Sequence, residues 1–374
     1  MEQFEEVDPH TGGKAKYTDK LGYESFGPFE FVGEHRTQAV TKTIGSTPIL
    51  WLETPHFRIG STLGTYRLVG DRDENERVDD ELKRLRKRGA RLKSKRGKLD
   101  PWLLLHLYAQ RAEEAYEAFH ADFGIDPADY VDDGPFLGRD EKFRLLLCQR
   151  TSEFSRFVGT YHGVQATGFF RWYPAVGDAG VAVDFGAILE NDPENPDEPT
   201  PNDSVLHATV VSGLAQTFLD GYRSNGGITP IWLRHGYGHY SVRRIDRRWV
   251  RGFGMKDGRT LEPDHYEWSG RVEDLVRNDF FTPLADAFDW TQYSQMDLRD
   301  HLTTWSRVEY LIDAVKGEHA KFLDALFETE ISARGAEPPS TDECRAAFEA
   351  AFDTPLDDFD DDWKRWVRKT YAKR

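Results

Sequence analysis

The chain has 374 residues, of which 39% are hydrophobic, so it is long enough to bury a substantial core. Its 24 Phe, 15 Tyr and 10 Trp are spread along the whole sequence, which argues against a long disordered half. The formal net charge of −16 disfavours a general nucleic-acid binder, because neutralising phosphates requires a basic surface.

The N-terminal residues and the cysteines say little about location. The first twenty residues lack the apolar segment of a signal peptide, and no apolar run is long enough for a membrane span. We therefore expect neither, and an extracytoplasmic location remains an alternative if a signal has been trimmed. Cys148 and Cys344 lack the spacing of a metal site, and a disulfide between them stays open.

Residues 1–46 show little periodicity and predict an extended N-terminal extension that packs on a domain over residues 47–374. The domain divides into a sheet-rich part, 47–190, and a helical part, 200–374. Two helices are predicted between Asp79 and Phe123, the second beginning near Pro101. Strands are predicted for PILWLETPHFRIGST, GTYRLVG, KFRLLLCQR, ATGFFRWY and AGVAVDFGAIL, and a short helix for TSEFSRFVGTYHG.

A charged segment overlaps the first of these helices. The acidic run DRDENERVDDE precedes the basic run KRLRKRGARLKSKRGK, residues 83–98. Acidic residues at the N-terminal end and basic residues at the C-terminal end complement a helix dipole, so we expect a solvated helix. A site for an anion or a polynucleotide is the alternative.

The helical part begins after ENDPENPDEPTPND, which predicts an exposed loop ending in the helix-capping types Asn202 and Asp203. A helix follows over SVLHATVVSGLAQTF and a second over IWLRHGYGHYSVRRI. Residues 246–279 are expected to be loop-rich, and the pattern is helical again from Asp297. PLDDFDDDWK lacks the spacing of a calcium loop and predicts a solvated helix start.

The first helix of this part has the frame of a zinc site. In HExxH helices, two histidines four residues apart hold the metal from one face, and the intervening Glu activates its water. His207 occupies the first position, but the segment reads His207-Ala208-Thr209-Val210-Val211. Ala and Val neither bind a metal nor transfer protons, so Ala208 leaves no catalytic base.

The succession of SVLHATVV, a connection of about twenty residues and PIWLRHGYGHY resembles the peptidase MA-like branch of the gluzincin metalloproteases. In that family, HExxH is followed by a W-L-x-E-G-x-A-x-Y segment that supplies the third ligand. The flanking segments ETPHFRI, KFRLLLCQRTSEFSRFVGTYHG and the C-terminal helices follow in the family's order. The resemblance implies a zincin-like α+β fold, with a mixed sheet packed on an active-site-type helix and a helical C-terminal part.

The resemblance also assigns residues. His207 matches the first zinc ligand, and His235 stands where the third ligand, a Glu, is expected. The scaffold of the third-ligand helix is matched by Trp232, Leu233, Gly236 and Tyr240. A rebuilt zinc site would use His207, His235 and His239, since three imidazoles make a competent zinc set with an open position. A histidine satisfied within the core is the alternative reading of His207.

An arginine cluster follows the second helix. Arg243, Arg244 and Arg247, with Trp232 and Tyr240, are candidates for binding an acidic peptide or a glycan. An ordinary salt-bridged surface is the alternative.

We expect a catalytically impaired metallopeptidase-like protein that binds a peptide, a protein or another ligand through the remnant cleft and needs no cofactor. The alternative is an active zinc hydrolase that uses the rebuilt histidine site.

Overall fold

The computed structural model describes residues 7–45, 47–68, 72–88, 97–174, 177–190, 203–224, 229–247, 267–315, 319–328 and 340–373. These residues form an α+β protein, as predicted. The chain divides into two compact units. Unit 1 comprises Met1–Tyr116, Asp140–Trp172 and Val176–Leu214, and unit 2 comprises Glu117–Arg139, Tyr173–Ala175 and Ala215–Arg374.

The strands described all belong to unit 1. They are β1 (Glu30–Val32), β2 (His35–Arg36), β3 (Leu50–Glu53), β4 (Phe57–Ser61), β5 (Tyr66–Arg67), β6 (Lys98–Leu99), β7 (Phe143–Cys148), β8 (Phe169–Trp172) and β9 (Gly180–Asp184).

The helices of unit 1, with two that continue into unit 2, come first in the chain: α1 (Ala15–Leu21), α2 (Thr37–Thr43), α3 (Arg72–Lys87), α4 (Pro101–Phe123), α5 (Thr151–His162), α6 (Phe185–Glu190) and α7 (Asp203–Gly221). The helices of unit 2 are α8 (Ile231–Ile245), α9 (Trp268–Arg277), α10 (Leu284–Ala287), α11 (Leu298–Asp313), α12 (His319–Glu328), α13 (Thr341–Phe352) and α14 (Leu356–Thr370). Within the described ranges, none of the helices combines the length and the apolar character needed to cross a membrane.

The centre of unit 1 is a mixed sheet with the strand order β3-β4-β7-β9-β8. Strands β4, β7 and β9 are parallel, whereas the edge strands β3 and β8 run antiparallel to their neighbours. Every residue of the central strand β7 is buried. Burial on both faces explains why this strand, apart from Arg144, is apolar throughout rather than alternating.

The two faces of the sheet carry different helices. On one face, Leu146 and Ala182 belong to a core cluster with Phe154 and Phe157 of α5. On the other face lies α7, which approaches so closely at Gly213 that a Cβ there would be 2.5 Å from the Phe169 ring. Only glycine permits this distance, so Gly213 fixes how near the middle of α7 lies to the sheet.

Unit 2 is built around the pair α8 and α11. Gly236 allows the close crossing, since a Cβ at this position would be 2.6 Å from the carbonyl oxygen of Thr304. Deeper in the unit, Arg307 forms a buried ion pair with Asp360, at 2.8 Å from Nε to Oδ1. The other carboxylate oxygen of Asp360 accepts a hydrogen bond from the backbone N–H of Leu284 at 2.7 Å.

Many of the predicted elements are confirmed. The predicted second helix of the helical part coincides with α8, and α4 begins at Pro101. Helix α5 ends before Gly163, which has a left-handed φ of 68°. Helix α3 carries the predicted acidic residues in its first turn and basic residues in its last, but it is not wholly solvated, because Glu74 and Glu81 are buried. Residues 191–202 of the predicted loop and residues 89–96 of the basic run lie outside the described residues.

Other predictions of local structure are wrong. The N-terminal extension is not extended, because it contains α1, α2 and the β1–β2 pair; helices of seven residues are too short to show a repeat. The predicted strand AGVAVDFGAIL ends at Asp184, whose carboxylate accepts the Ala187 N–H as α6 begins. The disulfide left open between Cys148 and Cys344 does not form, since both cysteines are buried and free, with Cys344 in α13.

The acidic segment PLDDFDDDWK does begin a helix, but it is not wholly solvated, because Asp360 is buried against Arg307. Replacing Asp360 with Ala should lower the free energy of unfolding by about 3 kcal/mol or more, since Arg307 would remain buried without its partner. Urea unfolding measures this change. The exposed Asp358 of the same helix provides the control, and equal stability of Asp360→Ala and Asp358→Ala would contradict the assignment.

Candidate functional site

Helix α7 begins inside a buried charge network of unit 1. The Arg111 guanidinium donates to both carboxylate oxygens of Asp203, at 2.9 and 2.6 Å, and to Glu81 at 2.6 Å. Tyr108 donates to Asp203 at 2.8 Å, and the Asp203 N–H donates to Glu74 at 2.7 Å. Because these side chains are almost fully buried, the network joins α3, α4 and the first turn of α7 away from water.

The carboxyl groups of this network have opposite pKa shifts. Burial would raise the pKa of Asp203, but the charge of Arg111 and its hydrogen bonds outweigh burial and lower it. Burial and the neighbouring Asp203 charge raise the pKa of Glu74. Asp203 is therefore the ionised partner of Arg111, and Glu74 is the carboxyl group that takes a proton more readily.

His207 lies one turn beyond Asp203, with its side chain only 4% exposed. Its Nδ1 is 3.8 Å from Oε1 of Glu81. Burial, followed by the positive charges of Arg111, Arg77 and Arg84, holds the pKa of His207 well below its ordinary value. The imidazole is consequently neutral at physiological pH, which is the protonation state of a metal ligand and of a core histidine alike.

The positions that complete the HExxH frame are buried. Ala208 is 2% exposed and Val211 is 5% exposed. Neither side chain has a polar atom, so this turn of α7 contributes packing and no chemistry beyond that of His207.

In unit 2, the scaffold residues of the predicted third-ligand helix lie in the core. Trp232 of α8 is fully buried, with its ring centroid 5.5 Å from that of Phe288 and 6.0 Å from that of Phe348. Tyr240 donates from its hydroxyl group to Asp313 at 2.9 Å. Both residues stabilise the packing of α8, in addition to any contact with a ligand.

Two predicted metal ligands meet a third histidine in unit 2. His239 Nε2 lies 3.0 Å from His301 Nδ1, and the His235 ring is 6.3 Å from the His301 ring, centroid to centroid. Tyr293 covers His235 with a centroid distance of 4.7 Å. Burial lowers the pKa of His301 to about 4, and burial and the neighbouring histidines hold that of His239 well below its ordinary value. One neutral imidazole therefore donates a hydrogen bond to the other.

The structure thus brings His235 and His239 together with His301, and it places His207 in unit 1 within the Arg111 network. Sequence reasoning missed His301, which lies 62 residues beyond His239 and belongs to no motif. Among the described residues, no three His, Cys, Asp or Glu side chains have an arrangement that could hold a metal ion.

The arginines of the predicted ligand-binding cluster have different surroundings. Arg243 is buried between the rings of Trp268 and Trp305, at 4.4 and 4.8 Å from their centroids, and burial lowers its pKa to about 10. Arg244 is exposed and pairs with Asp122 at 2.7 Å, whereas Arg247 is exposed at the end of the described segment. A ligand at the surface of unit 2 would meet Arg244 and Arg247 before Arg243.

Comparison with known proteins gives no relative: no family model, curated protein or solved structure matches the chain.

Removal of Arg111 should disrupt the network of unit 1. In Arg111→Met, Glu81 and Asp203 would remain buried without the guanidinium that pairs them, and of the described cations only Arg77, 3.9 Å from Asp203, would be left near the carboxylates. We expect the free energy of unfolding to fall by about 3 kcal/mol or more. Chemical denaturation measures the change. Arg84→Met is the matched control, because Arg84 is exposed and pairs with Glu114 on the same two helices. Similar losses of unfolding free energy in the two variants would show that the buried network stabilises the protein no more than the exposed ion pair does.

The low pKa of His301 predicts a pH dependence. An unfolded histidine titrates near 6.5, above the folded value of about 4, so the unfolded state binds more protons between these limits. Stability should therefore fall as the pH falls from 7 to 5, by about 2 kcal/mol more in the wild type than in His301→Gln. Urea unfolding at both pH values measures this difference, with His35→Gln as a variant at an exposed histidine. Equal losses of stability between pH 7 and pH 5 in the wild type and in His301→Gln would refute the low pKa assigned to His301.

Proposed function

We propose that this protein is a catalytically impaired relative of the peptidase MA-like gluzincins, with a zincin-type fold that binds a peptide, a protein or another ligand and does not hydrolyse it. The observation that carries the proposal is the state of the HExxH frame on α7. His207 is present, but Ala208 and Val211 are buried apolar residues where the base and the second ligand are needed.

The architecture supports this relationship. The mixed sheet with antiparallel edge strands has α7 packed closely on one face, as the resemblance to gluzincins implies. The helical unit contains α8, in which Trp232 and Gly236 occupy core positions suited to a scaffold role. Retention of packing residues alongside loss of catalytic residues is expected of a fold that has kept its binding surface and not its chemistry.

The electrostatics of His207 support loss of hydrolysis. Hydrolysis at a zinc site requires a metal-bound water and a carboxylate base beside it. The carboxylate groups around His207 are those of the Arg111 network, and Glu81 and Asp203 are already engaged by Arg111. A side chain engaged in this way stabilises the unit and is not available as a general base.

The competing function is a zinc hydrolase that uses His207, His235 and His239. In unit 2, His235 and His239 lie close to a further imidazole, His301, whereas His207 lies in unit 1, and among the described residues no three such side chains are arranged to hold a metal ion. Neutral imidazoles are suitable zinc ligands, and the low pKa values of His239 and His301 keep them neutral well below pH 7.

One experiment separates these functions. Protein purified without chelators is incubated with a defined peptide mixture, its metal content is measured by mass spectrometry, and the peptides recovered are sequenced. We expect much less than one zinc per chain, intact peptides and enrichment of a subset of them on the immobilised protein. His207→Ala serves as the matched variant and should have the same metal content.

Two other results would each contradict part of the proposal. Stoichiometric zinc that disappears in His207→Ala, together with cleaved peptides, would establish the hydrolase. Intact peptides with no enrichment of any sequence would contradict a peptide-binding role.

A further inference from the structure

A pocket of about 460 Å³ opens on unit 2 where the C-terminal end of α9 meets the beginning of α11. Residues of the histidine and arginine clusters do not line it. Its lining includes Arg271, Leu275, Asn278, Phe280, Arg299 and Leu302. The volume lies within the range of small-ligand sites.

Arg271 supplies an available positive charge. In the described part of the chain, no acceptor forms a hydrogen bond or an ion pair with its guanidinium. Arg277 of the same helix differs, because Glu273 and Asp274 engage it at 2.7 and 3.1 Å. A partly buried guanidinium without a protein acceptor is suited to a carboxylate supplied by a ligand.

Arg299 and Phe280 form the second side of the pocket. The Arg299 guanidinium lies 4.3 Å from the Phe280 ring centroid and is held by an ion pair with Asp297. Phe280 is 59% exposed, the highest value among the large hydrophobic residues described. It follows Asp279, whose left-handed φ of 51° ends α9, and the Phe280 N–H donates to the carbonyl oxygen of Leu275 at 2.9 Å.

The remaining lining residues restrict the ligand further. Leu275 and Leu302 provide apolar surface, and Asn278 provides an amide. Asp274 also lines the pocket, and its negative charge disfavours a second negative charge on the ligand. A phosphate ester, with about two charges, therefore fits less well than a monoanion that carries an apolar body.

We propose that this pocket binds the carboxylate of an organic acid with an apolar or aromatic body, Arg271 pairing with the carboxylate and Phe280 and Leu302 contacting the body. A free aromatic or aliphatic acid and the C-terminal residue of a peptide share this chemistry. The proposal is independent of the relationship to gluzincins, because His207 and α7 take no part in it.

The test uses the full chain and two probes, N-acetyl-phenylalanine and N-acetyl-phenylalaninamide, titrated by ligand-observed NMR. The acid should bind at least about tenfold more tightly than the amide, because only the acid forms a charge-assisted pair. Arg271→Gln should weaken binding of the acid by a similar factor. Arg277→Gln, a change of the same type in the same helix, should leave it unchanged, as should His207→Ala.

A third probe, N-acetyl-Ala-Ala-Phe, distinguishes the two sources of the ligand. Tighter binding of the tripeptide than of N-acetyl-phenylalanine would support the pocket as a receptor for peptide C-termini, whereas equal binding would support it as a site for free acids. Equal affinities for acid and amide, absence of binding by all three probes, or equal effects of Arg271→Gln and Arg277→Gln would overturn the proposal.

Discussion

Unit 1 depends on one buried cation, the guanidinium of Arg111, and on the two carboxylates that neutralise it. Removing a charge from water is expensive, so the group is tolerated in the core only because Asp203 and Glu81 engage it with short, paired hydrogen bonds. These contacts join three helices at one point and fix the first turn of α7. The attraction largely offsets the cost of desolvation, so stability should fall most when one partner is removed and the other stays buried.

The position and the protonation state of His207 follow from this arrangement. A residue one turn beyond Asp203 lies near the same guanidinium, so its imidazole is shielded from water and is close to positive charge. Such an imidazole stays neutral. The adjacent Ala208 and Val211 add only apolar surface, and the turn that would hold a metal and a base in an active peptidase is here part of a core.

Local signals in the sequence were sufficient for α8, for β7 and for the start of α4, because capping residues, proline and apolar runs act over a few residues. The capping box of Ser340 and Glu343 is a local signal of the same kind and predicts the start of α13. The site itself was less predictable. Arg111 and Asp203 are 92 residues apart, and only the folded chain reveals that they pair. The same holds for His301, which no spacing rule connects with α8.

The central proposal is that His207 is a neutral histidine of the core and not a metal ligand. The most direct test is a two-dimensional NMR spectrum of the protein labelled with ¹⁵N at histidine, recorded from pH 8 to pH 5 and again after addition of zinc. We predict that the ring nitrogens of His207 show one neutral tautomer throughout and do not move when zinc is added. A titration near the ordinary pKa of histidine, or a zinc-dependent shift of the His207 signals, would contradict the account.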